Sequence, residues 1–468
     1  MRAPEASLDY RQSSRCRQSS EFTPAPASKT FPICSSNHRF KLRTLLVIIS
    51  QPVHQQAYET VVAAQQAGLL HSFRNGLYRT GRGLSNPKLL RLLPNHIRTR
   101  VEGQQRRRWH AEIDSSKVLT VSRYHLAALA MRPLLSLAGY RGADRERFPW
   151  DIERWAHEQF DEAVGRDLRK TAGNARLVHA WEGSALGTLR AARELGLITV
   201  LDVPGAFEYT MQVITDEGGS APPLEVFRRI RAERELADFL FAPSEFVERC
   251  LIEHGVPPGK IVRIPYGVDE STFAPIEQKA DRPFRVLFAG RIGLRKGLKY
   301  LLEAWSQLRL QNAELVLVGS PDAHGHELLR RFAGQYRHVA PVPLYELHLW
   351  FQSSDVFVFP SLSEGSALVT YMALASGLPM VTTLNSGSVL KSGVQGFIVP
   401  PRDSQALAER IRQLFLDAEL RKKMSLVARQ TILTSFTWKH YRSRIGSAYR
   451  SILDDRDPNE ALDPPLPN

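Results

Sequence analysis

The sequence predicts an α/β protein of two doubly wound domains facing a central cleft, and three observations carry that prediction. The chain has 468 residues, 43% of them hydrophobic, enough to bury two cores. Short apolar runs alternate with longer helical stretches, which implies parallel sheets covered by helices on both faces. The runs fall into two series, divided by a stretch from Pro265 to Arg282 that contains Gly267, Pro275 and a polar segment suited to a hinge. Open α/β sheets bind ligands beyond the carboxyl ends of their strands, so two facing sheets put the chemistry between them.

Taken in order, residues 1–40 are rich in Ser, Arg, Pro and Gln without periodicity and read as a disordered basic leader. The first domain, 41–268, uses the runs Leu45 to Ile49, Val118 to Val121, Leu177 to Ala180, Ile198 to Leu201, Phe239 to Ala242 and Ile261 to Ile264. The second, 269–437, uses Val286 to Ala289, Leu315 to Val318, Val356 to Phe359, Met380 to Thr383 and Phe397 to Val399. A closing helix is expected over 438–454. The acidic, proline-rich stretch 455–468 reads as a disordered tail.

Composition narrows the class. Cys16, Cys34 and Cys250 are odd in number and lack metal-like spacing, which argues against a disulfide framework and for a reducing cytoplasm. Leu45 to Ile49 is too short to span a bilayer, and residues 1–40 lack the apolar core of a signal peptide. The expected location is cytoplasmic, at most peripheral to the inner face of a membrane. The net charge of +14 arises mostly at the front, where residues 1–110 hold 18 Lys or Arg against 5 Asp or Glu. Arg98, Arg100, Arg106, Arg107 and Arg108 bunch around Trp109, a pattern suited to anionic lipid headgroups or an acidic acceptor, a plain solvated surface being the alternative. No nucleic-acid recognition motif accompanies this charge, so nucleic acid is not an expected partner.

Two segments of the second domain carry chemistry. In PSLSEGSALVTYMALASGLP, from Pro360 to Pro379, the strand Val356 to Phe359 ends at Pro360. A helix is expected with its first turn near Ser366 to Leu368, stopped by a left-handed Gly377 and by Pro379. Such a strand-loop-helix aims free helix amides at its loop, so an anion can sit there beside the carboxylate of Glu364. In FAGRIGLRKGLKYLLEAW, from Phe288 to Trp305, Gly290 and Arg291 follow a strand, and Lys296 with Gly297 open a helix. Two cations in one such loop converge on an anion: Arg grips two oxygens at once and Lys adds a point charge. The P-loop spacing is absent.

These loops, with the VLVGS strand end at Val316 to Ser320, occur in one domain in order, each just past a strand. In this the chain resembles the retaining glycosyltransferases of family 4, which have the GT-B fold of two Rossmann-like domains. The resemblance covers Arg43 to Leu453 and includes the linker-like ERELADFLFAPSEFVERCLIEHGVPPGKIVRIPYGVDESTFAP, Glu233 to Pro275, and the closing FTWKHYRSRIGSAYRSIL, Phe436 to Leu453. It implies that Arg291 and Lys296 bind a donor diphosphate and that Glu364 contacts hydroxyls of the transferred sugar. It implies further that Gly290 and Gly319 line the donor, that backbone amides of Gly365, Ser366, Ala367 and Leu368 hold phosphate, and that base contacts lie near Val342 and Pro343.

The chain departs from the family pattern in three places. The second Glu of the E-x7-E motif, which takes the ribose hydroxyls, is Met372 here, and a thioether is a feeble acceptor. The glycine-rich loop expected after the first strand is SQPVHQQ, in which His54 and Gln55 offer hydrogen-bond donors instead, a polar cluster at a helix start being the plain alternative. No His follows the strand ending LDVPG, which leaves Asp202 as the nearest catalytic candidate. Trp181 and Glu182, after the Leu177 to Ala180 strand, are expected on the acceptor side together with His54.

The implied activity is hexosyl transfer from a nucleoside diphosphate sugar to a hydroxyl of a glycan or lipid-linked acceptor, with retention at the anomeric carbon. It belongs with glycan, polysaccharide or glycolipid biosynthesis. The donor is a co-substrate and no cofactor is expected. No metal is expected either, because Arg291 and Lys296 take its place and no Asp-x-Asp lies beside the donor loops. The alternative from another class is a non-catalytic sugar-nucleotide-binding subunit.

Overall fold

Apolar runs covered on both faces form the strands, as a parallel sheet between helix layers requires. The computed structural model describes residues 46–52, 56–78, 108–128, 143–219, 222–276, 282–460 and 462. All of these described residues, from Leu46 onward, belong to one compact unit. The first series of strands is β1 (Leu46–Gln51), β2 (Leu70–Asn75), β3 (Val118–Thr120), β4 (Ala175–Trp181), β5 (Ile198–Asp202), β6 (Phe239–Ala242) and β7 (Ile261–Arg263). The second is β8 (Phe284–Ala289), β9 (Ala313–Val318), β10 (Arg337–Val339), β11 (Val356–Phe359), β12 (Met380–Thr382) and β13 (Gly396–Ile398).

Every adjacent pair of strands is parallel. The first sheet has the order β3-β2-β1-β4-β5-β6-β7 and the second β10-β9-β8-β11-β12-β13. These are the two sheets of a GT-B fold. Strand order reverses between β1 and β4, and again between β8 and β11. At such a reversal the flanking connections leave on opposite faces, and a crevice opens beyond the strand ends. Both chemistry-bearing loops of the second half begin there, one after β8 and one after β11.

The helices around the first sheet are α1 (Gln56–Gln66), α2 (Ala143–Thr171), α3 (Leu186–Glu194), α4 (Phe207–Asp216), α5 (Leu224–Leu236) and α6 (Glu245–Glu253). Those of the second half are α7 (Leu298–Leu308), α8 (Ala323–Arg331), α9 (Leu344–Gln352), α10 (Leu368–Ala375), α11 (Ser404–Leu416) and α12 (Ala418–Ser435). The chain then closes with α13 (Trp438–Leu453). A capping box between Thr437 and His440 starts α13. This last helix lies against α1 and β4: Tyr441 OH meets Thr60 Oγ1 at 2.8 Å, Arg442 Nε donates to Glu59 at 2.6 Å, and Tyr449 OH meets His179 Nδ1 at 2.6 Å. The front of the connecting stretch is tied to the same point, since Val268 N–H donates to Phe436 O and Trp438 N–H donates to Val268 O.

Two strands were not expected from the sequence. β2, LHSFRN, breaks the apolar pattern because its Arg74 is buried against Asp167 at 3.1 Å and Thr171 at 2.9 Å. β10 is a three-residue edge strand with two exposed residues, too short to leave a periodic signal. The helix after the β11 loop starts at Leu368 and ends before Gly377, whose φ of +67° is the expected left-handed stop. Among the described residues, no helix is long and apolar enough to cross a membrane. The leader, the far end of the tail, His54 and the arginines from Arg98 to Arg107 lie outside the described residues.

Candidate functional site

The crevice beyond β8 and β11 is assembled by close backbone approaches. Gly297 turns at φ +67°, and a Cβ there would lie 2.0 Å from Pro360 O, so the β8 loop rests directly on the start of the β11 loop. Gly319, at the end of β9, sits against Gly290 so closely that a Cβ would lie 1.7 Å from the Gly290 carbonyl oxygen. Bulkier residues at these points would push the loops apart, and the side chains between them would no longer meet.

What meets there is a cationic cluster around one carboxylate. Lys296 Nζ donates to Glu364 Oε1, Arg295 lies 3.3 Å from the same oxygen, and Ser361 Oγ donates to it at 3.3 Å. Arg295 also donates to Ser363 O at 3.0 Å, which pins the loop that carries Glu364. Burial pulls the Lys296 ammonium down to about 8; Glu364 opposes that shift, while Arg295 and Arg291 add to it. Three cations against one carboxylate leave the cluster short of negative charge, which an anionic ligand would supply. Arg291 is exposed at its edge. Arg295 escaped the sequence reading because nothing marked it out from its basic neighbours; only its contacts distinguish it.

Beyond Glu364 the loop runs into α10, whose N-cap is Ala367 and which has no side-chain cap. The Glu364 N–H donates to Asn385 O at 2.8 Å and the Ala367 N–H to Ser386 O at 3.0 Å. Ser366 Oγ donates to Gly387 O and meets Tyr371 OH, both at 2.9 Å. Met372 is buried in the α10 core face. Thr370 and Tyr371, the polar neighbours of Met372, face inward and are fully buried. Val342 is half-buried just before α9 and packs against the core.

The first half meets this loop at the end of β5. A Cβ on Gly365 would lie 1.6 Å from Pro204 O, so the Pro204–Gly205 turn and the Glu364 loop are in backbone contact. Asp202, two residues earlier, is buried, with a carboxylate oxygen 3.7 Å from His179 Nε2. Trp181 is buried with its ring stacked on His179 at 4.5 Å. Glu182 pairs with Arg234 at 2.6 Å, and Arg234 pairs in turn with Glu208 at 2.7 Å. Burial pushes the Glu182 carboxyl up to about 7 against the pull of Arg234. Trp181 and Glu182 therefore have partners within the protein.

A second buried carboxylate pair braces the start of α3. Glu233 accepts from Gly183, Ala185 and Leu186 N–H groups, Asp161 accepts from those of Gly187 and Thr188, and Arg229 bridges the two. The free amides of this helix are thus satisfied by the protein's own anions.

Residues 283–417, which contain both loops, match the family of glycosyl transferases group 1. The chain is 28% identical over 315 residues to the D-inositol 3-phosphate glycosyltransferase 1 of Catenulispora acidiphila, covering 61% of this chain and 75% of that protein. It is 30% identical over 262 residues to the D-inositol 3-phosphate glycosyltransferase of Paenarthrobacter aurescens, covering 51% of this chain and 63% of that protein. The match to the Bacillus subtilis protein YtcC likewise spans 62% of that protein, less than two thirds of its length. Among solved structures, sucrose-phosphate synthase from Thermosynechococcus elongatus superposes with a TM-score of 0.62 at 17% identity, covering 88% of this chain and all of that one. Anabaena HepE, solved in complex with UDP and glucose, gives 0.58 at 14% identity, covering 87% of this chain and all of that one. These two likenesses show the fold.

Proposed function

We propose that this chain is a retaining glycosyltransferase that moves a hexosyl unit from a nucleoside diphosphate sugar to a hydroxyl of a glycan or lipid-linked acceptor, in glycan, polysaccharide or glycolipid assembly. The observation that carries this reading is the cluster of Lys296, Arg295 and Glu364 at the β8–β11 reversal, with Arg291 exposed beside it. The group 1 match over the same loops and the UDP-bound state of a structural neighbour support it.

In this reading Arg291 and Lys296 hold the diphosphate and neutralise the charge that develops as the sugar leaves. The α10 amides add their dipole, and Glu364 takes hydroxyls of the transferred sugar. Protein cations stand where other transferases use a metal. A departing phosphate oxygen accepts the proton of the incoming hydroxyl on the same face, so little is asked of a general base. Asp202 stays in reserve at the end of β5, within the part of the first half that turns toward Gly365. The acceptor enters from the first-half side, near Trp181 and Glu182. Trp109, half exposed beside Arg108, is the described end of the basic stretch that would meet an anionic membrane.

The test is release of nucleoside diphosphate from UDP-, GDP- and ADP-sugars by the purified protein, with and without acceptors. Release is expected from one donor class, and Arg291→Ala should lower turnover more than donor affinity. Binding without release from any donor would replace the reading with a non-catalytic sugar-nucleotide-binding subunit.

A further inference from the structure

The Glu364 loop is held in place by side chains from the other half of the molecule. Ser244, at the N-cap of α6, donates its Oγ–H to Gly365 O at 2.5 Å while the same oxygen accepts from Val247 N–H at 3.3 Å. Thr210 Oγ1, on α4, meets Ser363 Oγ at 2.7 Å. Tyr209 OH accepts from Asn385 Nδ2 at 2.8 Å, and Asn385 passes the contact on: its carbonyl takes the Glu364 N–H at 2.8 Å and its Nδ2 also donates to Leu362 O at 2.9 Å. Residues 362 to 365 are therefore each hydrogen-bonded either to a first-half side chain or to an asparagine that a first-half side chain holds.

The packing around these bonds leaves little slack. Gly387 has φ +63°, and a Cβ on it would lie 2.1 Å from Gly365 O and 2.9 Å from Ser244 Oγ, so all three groups touch. Tyr209 stands edge-on to Phe246, two residues beyond Ser244, with ring centroids 5.3 Å apart. At its far end α4 is anchored as well, because Glu217 accepts from Tyr300 OH at 3.0 Å and from Arg402 at 2.9 Å.

We propose that Ser244, Tyr209 and Thr210 are positioning residues for Glu364, setting the backbone of its loop from the first half while Lys296 and Arg295 hold its carboxylate from the second. The inference rests on the donor-site reading above and deepens it: the sugar-facing carboxylate is in place only while the two halves are together. Serine and threonine hydroxyls are short and sample few rotamers, so separation of the halves by 1 Å or so would break these bonds. The diphosphate contacts of Arg291 and Lys296 belong to the second half alone and would survive such a separation.

The test compares wild type with Ser244→Ala, Thr210→Val and Tyr209→Phe. Hydrogen exchange read by mass spectrometry over residues 361–368 should accelerate in each variant by about tenfold, the loss of one buried hydrogen bond, with the β8 and β9 peptides unchanged. With the best sugar donor, kcat should fall by about tenfold to a hundredfold, as expected for a displaced sugar contact. Affinities for UDP, GDP and ADP, measured by calorimetry, should fall by much less than kcat, since the Arg291 and Lys296 contacts to phosphate remain. Ser244→Ala also removes a helix cap, and Thr210→Val removes the 2.7 Å bond to the carbonyl of Ala206 at the N-cap of α4, so Tyr209→Phe, which removes neither, separates positioning from folding. Unchanged exchange over 361–368 in all three variants would overturn the inference whether or not the protein has activity. Equal losses in kcat and nucleotide affinity would overturn it too, as the mark of a general structural defect. An inactive wild type would overturn the transferase reading instead, while the exchange data would still judge the brace.

Discussion

Replacing Gly365 with Ala should disable transfer while leaving nucleotide binding largely intact. The added Cβ would sit 1.6 Å from Pro204 O, 2.6 Å from Pro204 C and 3.0 Å from Gly205 Cα. A carbon and a carbonyl oxygen in ordinary contact are about 3.3 Å apart, so the Glu364 loop and the Pro204–Gly205 turn must separate by about 1.7 Å. Both sides of the clash are backbone, and no side chain can swing away to relieve it. Overpacking of this kind costs about 1–3 kcal/mol of stability, which leaves the fold intact. A shift of 1 Å in a group that positions substrate costs about a hundredfold in rate, so kcat should fall by at least that much. The assay is steady-state release of nucleoside diphosphate, with affinity for the free nucleotide measured in parallel. Gly205→Ala is the control from the other side of the same contact, since a Cβ there would meet nothing nearer than 3.9 Å and should be tolerated. Full turnover in Gly365→Ala would refute the argument.

Three further outcomes follow from the same geometry. Lys296 has a folded pKa of about 8 against 10.5, so kcat/KM for the donor should decline as pH rises through 8 and the ammonium discharges. The unfolded chain holds the extra proton between those values, so stability gains from this group as pH rises from 8 to 10.5; urea denaturation should show a rise that Lys296→Met lacks. Met372→Glu, which restores the missing carboxylate of the motif, should tighten UDP, GDP or ADP binding by about tenfold, the scale of a hydrogen bond to a charged group, and unchanged calorimetry would remove Met372 from the ribose. Arg234→Met should cost about 3–5 kcal/mol by leaving Glu182 and Glu208 without their cation. Because burial holds Glu182 up to about 7, that loss should be larger at pH 8 than at pH 6 in chemical denaturation.

The apolar strands were legible because a strand covered on both faces must be apolar throughout: Val356–Phe359 and Phe239–Ala242 begin and end where the sequence alone places them. β2 was not, because its Arg74 is neutralised by Asp167 and hydrogen-bonded to Thr171 on a helix almost a hundred residues away, and no local pattern announces that pairing. The site divides the same way. Glu364 and Lys296 stand out by their place after strands and beside glycines, and the structure brings them into contact. Arg295 sits between two equally basic-looking positions and is distinguished only by its reach to Glu364 and Ser363. Trp181 and Glu182 stand out by following a strand, but the stacking of Trp181 on His179 and the pairing of Glu182 with Arg234 on a distant helix leave no trace in the local sequence. Ser244, Tyr209 and Thr210 carry no signal at all, since their role exists only once two halves more than a hundred residues apart have met.

The central claim is that Arg291 and Lys296 form the diphosphate half of a nucleotide-sugar site. Calorimetric titration of UDP, GDP and ADP into wild type and into the Arg291→Ala/Lys296→Ala double variant tests it most directly. Binding of one of the three by wild type and its weakening by more than about a hundredfold in the double variant is the expected result, on the scale of about 1.5–3 kcal/mol for each of the two charged contacts. Equal binding by the two proteins, or binding of none of the three by wild type, would contradict it.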